Sequence, residues 1–238
     1  MKALILAGGK GQRLRPYTTV IPKPLMPVGE KPILELLLRQ LKKAGVTEAV
    51  LAVNHLRELI EAFFGDGRNL GLKVSYALED QPLGTAGPIA GVLDELPDRF
   101  FVLNGDLLTT LNFKGLWEAH EQTQAAATIA AHTREVKIDF GILERSENGV
   151  LSGYVEKPTL RYEVSMGCYV LNREAVRPHC VEGRYLDMPD LMRLLVASGE
   201  RVHCHNEPCF WLDIGRPEDY QLANEIIERD PNRFGAAG

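Results

Sequence analysis

Two cations ten residues apart, Arg13 and Lys23, stand in a setting suited to anions. Arg13 closes the stretch Leu6-Ala-Gly-Gly-Lys-Gly-Gln-Arg13, and Lys23 is held between Pro22 and Pro24. Glycines 8, 9 and 11 let backbone N–H groups approach a phosphate closely, and Lys10, Arg13, Arg15 and Lys23 add positive charge around them. Residues 1–31 carry six Lys and Arg against Glu30 alone, in a chain whose net charge is −5. A local basic patch on an acidic protein suits a small anionic ligand, whereas a nucleic-acid binder would be broadly basic.

The elements that must position this loop follow from periodicity. Ala3–Ala7 is an apolar run that empties into the glycines, and Glu48–Val53 and Phe100–Asn104 are further apolar strands, as buried parallel strands should be. Between them, Pro32–Ala44 and His55–Phe64 read as helices and Leu72–Ala77 as a strand. Thr85 reads as the N-cap of a short helix to Leu93, after the polar loop 79–84. This alternation predicts an α/β fold with an open, mainly parallel, doubly wound sheet and helices on both faces. Ligands in such sheets bind beyond the carboxyl ends of the strands, where Gly8, Gly9 and Asp106 fall. From residue 125 short strands (125–132, 140–144, 150–155, 165–170) predict a small antiparallel extension, followed by helices at 187–197 and 217–228 around strands at 201–205 and 210–212.

Three competing owners of these motifs weaken on inspection. A dinucleotide fingerprint requires G-x-G-x-x-G, but Leu14 occupies the third glycine position. A Walker loop requires Gly-Lys-Ser/Thr at its end, which is absent. In His203-Cys-His-Asn-Glu-Pro-Cys209, a strand would put His203 and His205 on one face and Cys204 on the other, so an edge strand with a buried thiol is expected rather than a metal site. The four cysteines form no C-x-x-C pair, which suggests reduced thiols in a cytoplasm. Gly8-Gly9 interrupts the only signal-like run, and no apolar stretch approaches a membrane span. Neither nucleic acid nor membrane is expected as a partner.

Read in order, the motifs Leu6 to Leu14, Pro22-Lys-Pro-Leu-Met-Pro-Val28, Pro82-Leu-Gly-Thr-Ala-Gly87, Asn104-Gly-Asp106, Phe140-Gly-Ile142, Val155-Glu-Lys-Pro158, Met166-Gly-Cys-Tyr169 and Trp211-Leu-Asp-Ile-Gly215 resemble those of the sugar-1-phosphate nucleotidyltransferases. They cover residues 2 to about 228. The resemblance implies a Rossmann-like nucleotide-diphospho-sugar transferase fold that joins an NTP to a sugar 1-phosphate with release of pyrophosphate. Arg13, Lys23 and Asp106 would be the catalytic residues. Asp106 and Asp213 would hold Mg2+, which is satisfied by one or two carboxylates plus phosphate oxygens and water. Leu6, Gly8, Gly9, Gly11, Gln81, Pro82, Gly84 and Thr85 would bind the nucleotide. Glu156 would accept hydrogen bonds from sugar hydroxyls, Lys157 would bind the sugar phosphate, and Gly141 and Gly167 would let the sugar approach the backbone.

The Leu-Gly-Thr-Ala-Gly loop looks most like guanylyltransferases making GDP-mannose and related sugars. Glucose-1-phosphate thymidylyl- and uridylyltransferases stand behind it, and a non-catalytic sensor of nucleotide sugars is the alternative of another class. Gln12 departs from the Thr more usual in the family. One domain is expected over 1–238, with a nucleotide-binding half to residue 124, a sugar-phosphate half from 125 to 230 and a frayed tail over 231–238. A second activity is not expected, and self-association is left open.

Overall fold

The computed structural model describes residues 1–79 and 81–235; Asp80 of the expected polar loop and residues 236–238 of the expected tail lie outside it. The chain begins with β1 (Lys2–Leu6), a two-residue ladder of β2 (Pro27–Val28) and β3 (Lys31–Pro32), and α1 (Ile33–Lys43). It continues through β4 (Glu48–Val53), α2 (Arg57–Phe64), β5 (Lys73–Leu78), α3 (Pro88–Val92), β6 (Arg99–Asn104), β7 (Leu107–Thr109) and α4 (Phe113–Thr123). The second half contains β8 (Ala127–Lys137), β9 (Ile142–Arg145), β10 (Leu151–Val155), β11 (Thr159–Asn172) and α5 (Arg173–Val176). It ends with α6 (Met188–Ala197), β12 (Val202–Asn206), β13 (Trp211–Asp213) and α7 (Pro217–Arg229).

Seven strands form the main sheet in the order β12-β8-β11-β6-β1-β4-β5. All neighbours are parallel except β11, which runs antiparallel to both β6 and β8. The expected mainly parallel sheet is therefore present, with helices on both faces. Strand alternation divides the core: Ile5, Leu51 and Leu103 pack with Leu37, Leu41 and Leu116, whereas Leu4, Val50 and Val102 pack with Ile89, Leu191 and Leu195. A third cluster joins Leu14, Met26, Ile33, Leu108, Ile214 and Ile227. Each of Arg13, Lys23, Asp106 and Asp213 lies within three residues of one of its members, so this satellite core anchors the segments that carry the charges.

Several local expectations change. Helix α4 is an addition to the expected helices, its apolar period being broken because one of its three buried anchors, Phe113, Leu116 and His120, is polar. β8 and β11 run on together as an antiparallel ribbon, Thr133↔Glu163 to Lys137↔Thr159, making both strands longer than their apolar runs. Thr85 is not a helix N-cap. Gly87 caps α3, and the Thr85 hydroxyl instead accepts a bond from the Met188 N–H at 2.7 Å. β12 is an edge strand, but Cys204 on it is exposed; the buried thiols are Cys168 and Cys180. The segment 231–235 is not frayed. Phe234 is 1% exposed, 5.5 Å from the Phe210 ring, with the Arg233 guanidinium 4.8 Å above that ring.

His120 ties α4 to the sheet through Thr128 Oγ1 at 2.9 Å and Asn172 Oδ1 at 3.0 Å. Burial holds this imidazole below its ordinary pKa. The unfolded chain then binds a proton that the folded chain refuses. Stability is complete above the ordinary histidine range and falls as pH drops below about 6.5. Melting temperature should decline between pH 7 and 5.5, and by less in His120→Gln.

Candidate active site

β1 and β6 are parallel neighbours with Leu6 opposite Asn104, so the glycine loop and Gly105-Asp106 leave the sheet side by side at its carboxyl edge. The Gly105 N–H donates to Leu6 O at 2.9 Å, fixing that exit. Asp213 comes from 107 residues further along the chain and is delivered by a short ribbon. β13 pairs antiparallel with β7, placing Asp213 opposite Leu107, and the Ile214 N–H donates to Asp106 O at 3.3 Å. Two carboxylates distant in sequence are thereby brought to one point.

Lys23 occupies that point. It lies in a 3-10 turn of residues 23–25 whose Met26 N–H returns to Lys23 O at 3.1 Å, and it is only 8% exposed. Gly11 (φ +58) closes over it; a Cβ there would stand 2.8 Å from Thr18 Cγ2 and 3.3 Å from Lys23 Cβ. The Lys23 ammonium donates to Asp106 Oδ2 and lies 3.9 Å from Asp213 Oδ1. Burial and the Asp106 charge push the Asp213 carboxyl above its ordinary pKa, opposed by Lys23 and Arg13.

A cavity of about 440 Å³ opens on the Asp106 side. Leu6, Gly8, Gly9, Pro82, Gly84, Thr85 and Asp106, seven of the expected residues, line it. Its wall also contains Glu79, Asn54 and Tyr185, which sequence reasoning missed. The 82–87 loop is clamped from across the chain: the Thr85 N–H donates to Asp187 Oδ1 at 3.1 Å, and the Ala86 and Gly87 N–H groups donate to Leu186 O. Gly84 (φ +80) is required there, since a Cβ would meet Leu186 O at 2.5 Å. The Tyr185 hydroxyl donates to Asp187 Oδ2 at 2.7 Å and lowers the pKa of that carboxyl.

A second cavity, about 410 Å³, opens on the Asp213 side and is lined by Arg13, His132, Arg134, Trp211, Asp213 and Arg216, among others. Gln81 lines neither cavity. Nor do Gly141, Glu156 and Lys157, which lie around the β9–β10 hairpin, where Gly141 leaves room for the Tyr154 ring and the Tyr154 hydroxyl donates to Glu156 Oε2 at 3.1 Å. Gly167 (φ +74) makes room for Asn104, whose Nδ2 would lie 2.5 Å from a Cβ at 167. A larger hollow of about 660 Å³ lies at the opposite end of the sheet around Met1, Glu48 and Trp117, remote from the charge cluster.

Among the described residues no three His, Cys, Asp or Glu side chains gather as a metal cage. The Asp106–Asp213 pair nevertheless fits a hard divalent cation. Asp106 Oδ1 is buried and has no hydrogen-bond partner, an acceptor that a cation sharing phosphate oxygens and water would satisfy. No helix of the described residues is long and apolar enough to cross a membrane.

The chain is 34% identical to a UTP–glucose-1-phosphate uridylyltransferase from Synechocystis, over 97% of this chain, and 33% identical to a mannose-1-phosphate guanylyltransferase from Mycobacterium tuberculosis, over 95% of it. In both cases it spans 64% of the relative's length. A Bacillus anthracis chain crystallised with sucrose and described as a glucose-1-phosphate thymidylyltransferase shares the fold, with a TM-score of 0.78 at 24% identity over 98% of each chain. The family model for nucleotidyl transferases matches residues 2–230, and the chain belongs to that family.

Proposed function

We infer that the chain transfers a nucleotidyl group from an NTP to a sugar 1-phosphate, giving an NDP-sugar and pyrophosphate. The observation that carries this reading is Lys23 set against Asp106 and Asp213, with the glycine loop beside it and a cavity on either side. Attack by the sugar-phosphate oxygen on the α-phosphorus forms one P–O bond while the bond to the β-phosphate breaks. Such transfer needs anionic groups positioned and neutralised, with no covalent help from the protein. Lys23 would neutralise the reacting phosphates, Arg13 the departing ones, and the N–H groups of Gly8 and Gly9 would seat the nucleotide. Asp106 and Asp213 would hold Mg2+, which supplies charge neutralisation at the phosphate oxygens. From the hairpin, Glu156 would accept hydrogen bonds from the sugar hydroxyls and Lys157 would bind the phosphate of the sugar 1-phosphate. Four free cysteines support a cytoplasmic site for the reaction.

GTP, with mannose 1-phosphate or a related sugar, is the favoured pair. Glu79 supports the base. Its side chain lies in the Asp106-side cavity beside Gly8, and burial raises its pKa, opposed by a bond from the Leu83 backbone. A carboxylate only accepts, which complements guanine's adjacent N1–H and 2-amino donors and clashes with the carbonyls flanking the single N3–H of uracil or thymine. Incubation with Mg2+, each NTP and hexose 1-phosphates should release pyrophosphate fastest with GTP. No release from any combination would defeat the transfer reading. Glu79→Gln should lower kcat/KM for GTP by about 10–100-fold, the worth of one charge-assisted hydrogen bond pair, with a smaller change for UTP.

A further inference from the structure

We propose that Arg134 and Arg216, neither of them in the family motifs above, join Arg13 in holding the pyrophosphate that leaves the reaction, in the cavity on the Asp213 side. The proposal rests on the transfer reading for the identity of the anion. Arg134 comes from the projecting ribbon, where it pairs with Tyr162 of β11. Arg216 is the residue before α7, and Arg13 comes from the glycine loop; three separate segments thus bring guanidinium groups to one cavity.

Their charge is only partly answered within the described residues, by Asp213, on which Arg13 acts alongside Lys23. Among the described residues none of the three has a carboxylate within ion-pair distance, whereas most other arginines of the chain are paired. Of the two carboxylates in the wall, Asp219 accepts from the Gly215 and Arg216 N–H groups through one oxygen, at 3.2 and 2.9 Å, and makes no ion pair with an arginine. Asp213 faces Lys23. Gly215 fits this arrangement, since its missing side chain lets the Arg13 guanidinium lie flat against the backbone: a Cβ at 215 would be 3.3 Å from Nη2 and 3.4 Å from Cζ. Three unpaired guanidinium forks around about 410 Å³ match a compact, multiply charged oxyanion better than a neutral sugar.

The position agrees with the chemistry. The nucleoside side of the reaction belongs with the glycines and Glu79 in the Asp106-side cavity, so the departing group has the Asp213 side to enter. The exposed hairpin carrying Glu156 and Lys157 leaves the sugar phosphate a separate approach.

The test is calorimetric titration of the full chain with inorganic pyrophosphate, together with steady-state kinetics in both directions. Arg134→Ala and Arg216→Ala should each weaken pyrophosphate binding about tenfold and raise its KM in the reverse reaction by the same factor, as loss of one bidentate phosphate contact does. KM for the sugar 1-phosphate should stay within about twofold. Arg161→Ala, which removes a ribbon arginine paired with Glu135, should change neither and so controls for net charge. A rise in KM for the sugar 1-phosphate with pyrophosphate binding unchanged would overturn the assignment in favour of the sugar phosphate. Unchanged binding of both would overturn it outright. A chain that binds pyrophosphate through these arginines yet forms no NDP-sugar would defeat the transfer reading and leave this one standing.

Discussion

Asp106→Asn is expected to reduce turnover by about three orders of magnitude while leaving the fold intact, because charge neutralisation at a reacting phosphate is worth several kcal/mol and each 1.4 kcal/mol is about tenfold. The side chain is half-buried between β6 and β7, accepts from Lys23 through one oxygen and leaves the other buried and unbonded. Asn keeps the shape and removes the charge. The backbone needs nothing from this side chain, since Gly105 and Ile214 are fixed by main-chain bonds to Leu6 O and Asp106 O. Melting temperature without metal should therefore shift by only a few degrees. The rise in melting temperature on adding Mg2+ with nucleotide should shrink sharply, because stabilisation by a ligand of the folded state grows with the logarithm of its concentration over its Kd, and the variant raises that Kd. Turnover within tenfold of wild type would remove Asp106 from the chemistry.

The sequence disclosed much of what depends on local pattern, helix α4 excepted. β1, the glycine turn and the proline-framed Lys23 are neighbours in the chain, and their residue types state their conformations. That β1, β4 and β6 run parallel followed from apolar runs separated by amphipathic helices. Long-range pairing was less accessible. That Asp213 reaches Asp106 depends on the three-residue ribbon of β7 and β13, too short to announce itself by alternation. Thr85 has an ideal N-cap side chain, but its hydroxyl bonds across to Met188 and Asp187, where tertiary contact overrides local propensity. Arg134 and Arg216 carried no signal, because an arginine on an exposed strand or before a helix is commonplace; only their shared cavity distinguishes them. Glu79 resembled a loop residue until the fold placed it beside Gly8.

Lys23→Met should lower kcat by about 10²–10³-fold, the range seen when one preorganised positive or hydrogen-bonding group is removed from a charged transition state. It should also change how stability depends on pH, and the sign follows from the site. Asp213 already has a raised pKa through burial and the charge on Asp106, and Lys23 is the first of the two cations that oppose the rise. Without the ammonium, the folded state holds a proton on Asp213 to higher pH than the unfolded chain does. Such a group contributes stability below the ordinary carboxylate range, and that stability is lost as pH rises through the raised folded value. The deficit of Lys23→Met relative to wild type should therefore be larger at pH 7.5 than at pH 5. Mg2+ should narrow it at the higher pH, since a divalent cation can replace the missing charge between two carboxylates. Lys23→Arg should not restore turnover, because the planar fork cannot reproduce the compact ammonium of a buried lysine set between Asp106 and Asp213. A pH-independent deficit, or full activity in Lys23→Met, would show that this lysine only fills space between Asp106 and Asp213.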